Sequence, residues 1–222
     1  MSADEPPRGG LFLDLDGTLA DSLHVMRAVY AAFLRRFDRP ADDREFEALN
    51  GPPLPEVVRR LQQAHDLPGR LGDLIADYQS VVDSAYADVS PTSGAGEMLA
   101  AAAASGWVVG IVTSNAGRRT WLWLDRTGLA PLVDFVIAGE DVRRGKPHPE
   151  PYLLALSHSG CRAEQAIAVE DSPQGVAAAL AAGLTAYAFQ PASRPALSWP
   201  EGARPLARLQ ELIPFLVKPA AR

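Results

Sequence analysis

The sequence contains little cysteine, little lysine and no long apolar run. Cys161 is the single cysteine, which excludes an internal disulfide and fits a reducing compartment. No stretch approaches the roughly 20 apolar residues of a transmembrane helix, and residues 1–10 lack the apolar core of a secretory signal. A formal charge of -6 without a basic stripe argues against nucleic acid and anionic membranes as partners. We therefore predict a cytoplasmic protein and leave open whether it is a monomer or a homodimer.

Alternating strand and helix patterns dominate the chain after about residue 90. With 47% hydrophobic residues among 222, the chain can bury a large core. Apolar runs typical of buried strands, separated by helical patterns, occupy residues 107–112, 135–138, 166–169 and 184–189. A closing helix is expected at 206–216. This alternation predicts an α/β fold with a parallel sheet covered on both faces.

Residues 21–89 differ from the rest because they contain helical patterns and no convincing strand. Apolar residues recur at helical spacing in the segments 24–37, 45–49, 54–64 and 70–87. The first strand, Leu11 to Leu13, lies before them, so they interrupt one α/β domain. We predict a core formed by residues 1–20 and 90–222, with an all-helical domain inserted at 21–89.

Two carboxylates, Asp14 and Asp16, follow the first strand directly. With a period of two, both point toward the same side, and Gly17 then permits a sharp change of backbone direction. Two acids at the end of a buried strand need a metal ion, a shared proton or a nearby cation. A calcium-binding EF-hand loop is excluded, because its first and last ligand positions would be Phe12 and Leu23.

Three further segments bring polar groups to the same predicted edge of the sheet. Each alone has a plainer interpretation as a helix cap or a solvated lysine. Ligands of open α/β sheets bind beyond the carboxyl ends of the strands, where these segments meet the two aspartates. Together they supply carboxylates, hydroxyl and amide groups and one fixed cation, a set that suits Mg²⁺ and a phosphoryl group. The residues are Thr113, Ser114 and Asn115, then Lys146, then Glu170 and Asp171.

These four segments, in this order, resemble the motifs of the haloacid dehalogenase superfamily, in its branch with a helical cap. The resemblance implies a Rossmann-like core with an inserted cap domain, and a covalent mechanism. Asp14 would attack phosphorus to form an aspartyl-phosphate, and Asp16 would act as general acid and base. The implied Mg²⁺ ligands are Asp14, the main-chain carbonyl of Asp16, Glu170 and Asp171. The expected substrate-binding residues are Thr18, Gly51, Thr113, Ser114, Asn115 and Lys146.

Residue types separate the chemistries found in that superfamily. Asp16 argues against dehalogenation, and the lack of lysine in residues 20–90 excludes a Schiff base for phosphonate hydrolysis. The turn at 49–55 is similar to that of phosphoglycolate phosphatases. We predict a Mg²⁺-dependent phosphatase acting on a small phosphorylated metabolite. A non-catalytic phosphate-binding regulator is a weaker alternative, and so is a sugar-phosphate mutase, which would need the inserted arginines Arg27, Arg35, Arg36, Arg59 and Arg60.

Overall fold

A computed structural model describes residues 9–49, 52–194 and 196–217 of the chain. Six parallel strands form one sheet in the order β3-β2-β1-β4-β5-β6. The strands are β1 (Gly9–Leu13), β2 (Trp107–Val112), β3 (Phe135–Ile137), β4 (Ala166–Glu170), β5 (Thr185–Phe189) and β6 (Arg204–Leu206). The predicted α/β class and parallel sheet are confirmed.

Nine α-helices are found among the described residues, and four of them lie between β1 and β2. These four are α1 (Leu23–Arg35), α2 (Asp43–Ala48), α3 (Leu54–His65) and α4 (Leu71–Tyr86). The other five are α5 (Ala95–Ala104), α6 (Gly117–Thr127), α7 (Glu150–Ser159), α8 (Pro173–Ala181) and α9 (Ile213–Leu216). Short 3-10 helices occur at Ala130–Leu132, Gly139–Asp141, Ala163–Gln165 and Leu209–Leu212. In the described part of the chain, no helix has both the length and the apolar character required to cross a bilayer.

The two faces of β1 contribute to separate hydrophobic layers. Leu11 and Leu13 belong to the larger buried cluster, whereas Phe12 points into a second cluster on the opposite face. The larger cluster also includes Tyr30 of α1 and Leu61 of α3, so the inserted helices share it with the sheet. Both faces of β1 are buried, as expected for a central strand of a parallel sheet. This burial leaves its carboxyl end as the place where polar groups can reach a cavity.

The connections into and out of the inserted helices lie side by side. The Asp21 amide donates to the Ser90 carbonyl at 2.9 Å, and the Thr92 amide donates to the Leu19 carbonyl at 2.9 Å. An antiparallel bridge joins residue 20 to residue 91 between them. The polypeptide therefore enters and leaves the helical segment through one narrow, two-stranded link.

The predicted closing helix at 206–216 is confirmed from Leu209 onward, where a 3-10 helix leads into α9, and was wrong only at its start. Arg204–Leu206 instead forms β6 at the edge of the sheet, and α9 begins only at Ile213. Pro205 has no amide hydrogen to donate, which an edge strand tolerates. Pro214 is accepted only in the first turn of a helix, so the α-helix cannot begin several residues earlier.

Candidate active site

Asp14 lies at the point where the central strands of the sheet end. Its amide donates to the Val169 carbonyl of β4 at 3.0 Å, which holds the residue directly after β1. The neighbouring Thr113, directly after β2, donates its amide to the Ile137 carbonyl of β3 at 2.9 Å. Both residues are buried. The parallel arrangement thus brings the first and second predicted motifs to one edge, as expected.

Lys146 provides the buried cation of this edge and is only 6% exposed. Its Nζ lies 2.6 Å from Asp14 Oδ1, 2.5 Å from Glu170 Oε1 and 2.8 Å from the Val112 carbonyl oxygen. An ammonium group has three donors, and three acceptors surround it here. Burial alone would lower the pKa of Lys146, but the carboxylates of Asp14 and Glu170 outweigh it and raise the pKa. Lys146 is therefore held in its charged form.

Three buried carboxylates converge beside this lysine. Asp14, Glu170 and Asp171 each offer an oxygen, and these oxygens lie within 4.8 Å of one another. Burial raises the pKa of Asp14 well above its usual value, although Lys146 opposes the shift. Burial likewise raises the pKa of Asp171 to about 7, although Arg194 opposes it with an Nη1 that lies 3.2 Å from Asp171 Oδ2. Burial therefore opposes the ionised forms of Asp14 and Asp171, and the neighbouring cations Lys146 and Arg194 offset only part of this effect.

The acidic cluster has the properties of a site for a hard divalent cation. Carboxylate oxygens are the ligands that Mg²⁺ prefers. Among the described residues, buried Glu170 Oε2 has no hydrogen-bond partner. The backbone leaves room for the acids, because a Cβ added at Gly17 would lie 2.0 Å from Asp171 Oδ2, and one at Gly175 would lie 1.9 Å from Glu170 Oε2. Gly17 also has a φ of +79°, which favours glycine.

Asp16 is held apart from the acidic cluster by three donors. Ser22 Oγ and Tyr86 Oη each donate to its Oδ1 at 2.7 Å, and Asn115 Nδ2 donates to its Oδ2 at 3.0 Å. Tyr86 belongs to α4, so one of these donors comes from the inserted helices. The pKa of the Tyr86 hydroxyl is raised by burial and by the Asp16 carboxylate. A carboxylate held in this way has a defined position from which to exchange a proton.

A cavity of about 130 Å³ opens between this edge of the sheet and the inserted helices. Seven of the predicted site residues line it, namely Asp14, Asp16, Thr113, Ser114, Asn115, Lys146 and Asp171. Two others, Glu170 and Thr18, do not line it, because both are fully buried. The Oγ1 of Thr18 has no hydrogen-bond partner among the described residues. Gly51, which was predicted to bind substrate, lies outside the residues that the structure describes.

Sequence reasoning did not identify several residues that shape this site. Ser22 and Tyr86 hold Asp16, and Arg194 contacts Asp171, yet none of the three lies in a recognisable motif. Arg119 of α6 also lines the cavity. Its Nε donates to Asp83 Oδ1 of α4 at 2.7 Å, and its Nη1 contacts the Asn115 side chain. Arg119 therefore joins the sheet edge to an inserted helix.

Comparison with known proteins gives a consistent result. Residues 11–189 match the family model described as haloacid dehalogenase-like hydrolase. The chain is 32% identical over 184 residues to validoxylamine A 7'-phosphate phosphatase of Streptomyces hygroscopicus subsp. limoneus, covering 77% of this chain and 80% of the relative. It is 30% identical over 178 residues to phosphoglycolate phosphatase of Nitrosococcus oceani, covering 78% and 79%. The crystal structure of CbbY from Rhodobacter sphaeroides in complex with phosphate has a TM-score of 0.82 at 22% identity, covering 92% of this chain and 96% of that one.

Proposed function

The chain belongs to the haloacid dehalogenase-like hydrolases, and from this premise we propose that it is a Mg²⁺-dependent phosphatase that hydrolyses a small phosphomonoester through an aspartyl-phosphate. Membership of the family and relatives named as phosphatases make it a phosphoric monoester hydrolase. The observation that carries the finer proposal is Asp14, a buried carboxylate 2.6 Å from Lys146 at the end of the cavity.

The proposed reaction has two steps. In the first, the Asp14 carboxylate attacks phosphorus, the bond from phosphorus to the ester oxygen breaks, and Asp16 gives its proton to the departing alcohol. In the second, Asp16 takes a proton from water, which attacks the same phosphorus and releases inorganic phosphate from Asp14. Atoms and protons balance over the cycle, and both aspartates return to their starting states.

The other residues at this edge of the sheet stabilise the charge on Asp14 and would bind the phosphoryl group and the metal ion. Lys146 stabilises the ionised form of Asp14, against the effect of burial. Thr113, Ser114 and Asn115 line the cavity beside Asp14 and Asp16 and offer hydroxyl and amide donors to phosphoryl oxygens. Asp14, Glu170 and Asp171 would hold Mg²⁺, with the Asp16 main-chain carbonyl as a further ligand. When bound, the ion would neutralise charge on the phosphoryl group.

We also propose that residues 21–89 act as a cap domain over the core formed by residues 1–20 and 90–222. The cavity has lining residues from both parts, and the chain passes between the two parts through one two-stranded link. Closing of the cap around a substrate would exclude water from the phosphoryl group, and opening would release the product. The proposed cytoplasmic location rests on the sequence alone.

Among the described residues, the inserted helices place no cation on the cavity, which favours hydrolysis over the mutase alternative. Its second phosphate would require a basic group of the inserted helices near the cavity. None of the five arginines considered for this role lines it, and four of the five are exposed. Arg27, the fifth, is paired with Asp43 at 2.6 Å. We therefore propose hydrolysis rather than isomerisation.

The substitution Asp14→Asn tests the mechanism because it removes the nucleophile with almost no change of volume. With an aryl phosphate as substrate, phosphate release should fall by at least about 10³-fold. EDTA should abolish release by the unchanged protein, and added Mg²⁺ should restore it. Mass spectrometry after rapid quenching should detect a phosphoryl adduct on Asp14.

Asp125→Asn is the matched control, because Asp125 is exposed on α6 and does not line the cavity. This variant should retain its activity. Turnover by Asp14→Asn that equals that of the control would refute the assignment of Asp14. Turnover that is unaffected by EDTA would refute the metal dependence.

A further inference from the structure

The wall of the cavity that faces Asp14 is apolar. Nine described residues of the segment 21–89 line it, from all four inserted helices and the turn before α3. They are Leu23, Met26, Phe46, Leu49, Pro52, Leu54, Val57, Tyr78 and Val82. Among them only Tyr78 has a conventional hydrogen-bond donor. Asn50 and Gly51 lie outside the described residues, so this composition refers to the other lining residues.

The charged side chains of the inserted helices are engaged away from this wall. Arg36 pairs with Asp77 at 3.4 Å, and Glu56 pairs with both Arg59 and Arg60 at 2.6 and 2.7 Å. All of these groups are at least partly exposed to solvent, and none of them lines the cavity. In the described segment 21–89, the charge therefore lies on the outside and the apolar surface faces the site.

Arg119 is the one described cation other than Lys146 that lines the cavity, and it forms an ion pair with Asp83, although its buried Nη2 makes no hydrogen bond to a described residue. Its side chain is 7% exposed and contacts the carboxylate of Asp83 and the amide oxygen of Asn115. A carboxylate or second phosphate on the substrate would have to compete with Asp83 for this guanidinium. The described lining thus offers the alcohol part of a substrate no cation that is not already ion-paired with a carboxylate of the protein.

An apolar wall selects against polar alcohols because it cannot replace the water that they lose. Each buried hydroxyl left without a partner lowers binding by about fivefold or more. A site lined by apolar groups instead gains about fourfold for each methylene that it buries. The cavity volume of about 130 Å³ must hold the phosphoryl group beside Asp14 as well as the alcohol, so the bound alcohol is small.

From the apolar wall and its lack of free charge, we propose that the substrate is the phosphate monoester of a small, uncharged, mainly apolar alcohol. The hydroxyl of Tyr78 makes no hydrogen bond to any described residue, so the wall can satisfy one polar group of the ligand and no more. This inference rests on the proposed phosphatase function and adds the class of the leaving group to it.

The test is a series of substrates matched in carbon number, each assayed for phosphate release with Mg²⁺. Ethyl, n-propyl and n-butyl phosphate are compared with phosphoglycolate, glycerol 3-phosphate and erythritol 4-phosphate. We expect kcat/KM to rise about fourfold per methylene along the alkyl series. At four carbons, the alkyl ester should exceed its polar counterpart by at least about tenfold. The hydroxyl groups make the polar alcohols better leaving groups, so chemistry alone would favour the opposite result.

A pair of Leu→Gln variants connects the preference to the wall. Leu54 lines the cavity and is partly buried, whereas Leu153 is exposed on α7 outside it. Leu54→Gln should lower the ratio of n-butyl phosphate to erythritol 4-phosphate turnover by about fivefold, because it places an amide in the wall. Leu153→Gln should leave that ratio unchanged. Circular dichroism of both variants checks that they fold.

The outcomes separate this inference from the proposed function. Equal or greater turnover of the polar esters, or an alkyl series that does not rise, would overturn the inference and leave the phosphatase assignment intact. If phosphate is released neither from any member of the series nor from an aryl phosphate, both the inference and the proposed phosphatase function are refuted. The substrate series uses the unchanged protein, so the result does not depend on the folding of a variant.

Discussion

Replacement of Lys146 by methionine is expected to destabilise the protein strongly while it preserves the packing of the aliphatic stem. The ammonium contacts two carboxylates, Asp14 at 2.6 Å and Glu170 at 2.5 Å, and the lysine side chain is 2% exposed. Glu170 is fully buried, so water cannot replace the lost cation. Removing one member of a buried ion pair typically costs about 3–5 kcal/mol. We expect Lys146→Met to lower the free energy of unfolding by about 3 kcal/mol.

The origin of this loss can be isolated with a second substitution. Glu170→Gln removes one of the two carboxylates that Lys146 compensates. In the Lys146→Met background it should therefore recover about 1 kcal/mol or more, which a double-mutant cycle reports as a coupling energy. Tyr152 Oη lies 2.5 Å from Glu170 Oε1 and can still donate a hydrogen bond to the side-chain oxygen of the glutamine.

Urea unfolding followed by circular dichroism, with EDTA present, measures these free energies without a contribution from bound metal. Arg208→Met is the control, because the Arg208 side chain is 77% exposed and pairs with the exposed Glu211. That variant should remain within about 0.5 kcal/mol of the unchanged protein. A loss below about 1 kcal/mol for Lys146→Met, or additive effects of Lys146→Met and Glu170→Gln, would refute the argument that the lysine compensates buried acids.

Two further substitutions test the geometry of the site. Gly17→Ala should lower the free energy of unfolding by about 2 kcal/mol or more and abolish activity, because the new Cβ would lie 2.0 Å from Asp171 Oδ2 at a φ of +79°. Gly128→Ala is the control, because Gly128 has a similar φ of +73° but open space around the added Cβ. Urea unfolding of this variant should show only the smaller loss that comes from the backbone conformation. Equal losses of unfolding free energy in the two variants would contradict a collision between the Cβ and Asp171. Tyr86→Phe should lower kcat about tenfold, because the bond from its hydroxyl to Asp16 is lost. Steady-state assays measure this change, and an unaltered kcat would mean that the bond does not position Asp16.

Much of the fold could be predicted because local patterns were strong. The strand at residues 107–112 was predicted at its observed bounds, from an apolar β-branched run. β6 was missed because three residues that include a proline carry no readable period. Its identity as a strand depends on pairing with β5, which is a long-range contact.

The site likewise contains residues whose placement could be predicted from the sequence and residues whose placement could not. Asp14, Thr113, Lys146 and Asp171 could be placed together because parallel strands end at one edge of a sheet. The partners of Asp16 could not be predicted in this way. Tyr86 is 70 residues from Asp16, and nothing in its neighbourhood distinguishes it from other residues of an amphipathic helix.

The sequence by itself determined which chemical groups are present at the strand ends, namely the acids, the hydroxyls and the single nearby lysine. Only the tertiary structure decided their environment. Burial and Coulomb interactions depend on distances between residues far apart in the chain, such as the 2.6 Å between Lys146 and Asp14. The apolar wall is likewise a product of packing, because four helices each present a few apolar side chains to one cavity and keep their charges outside.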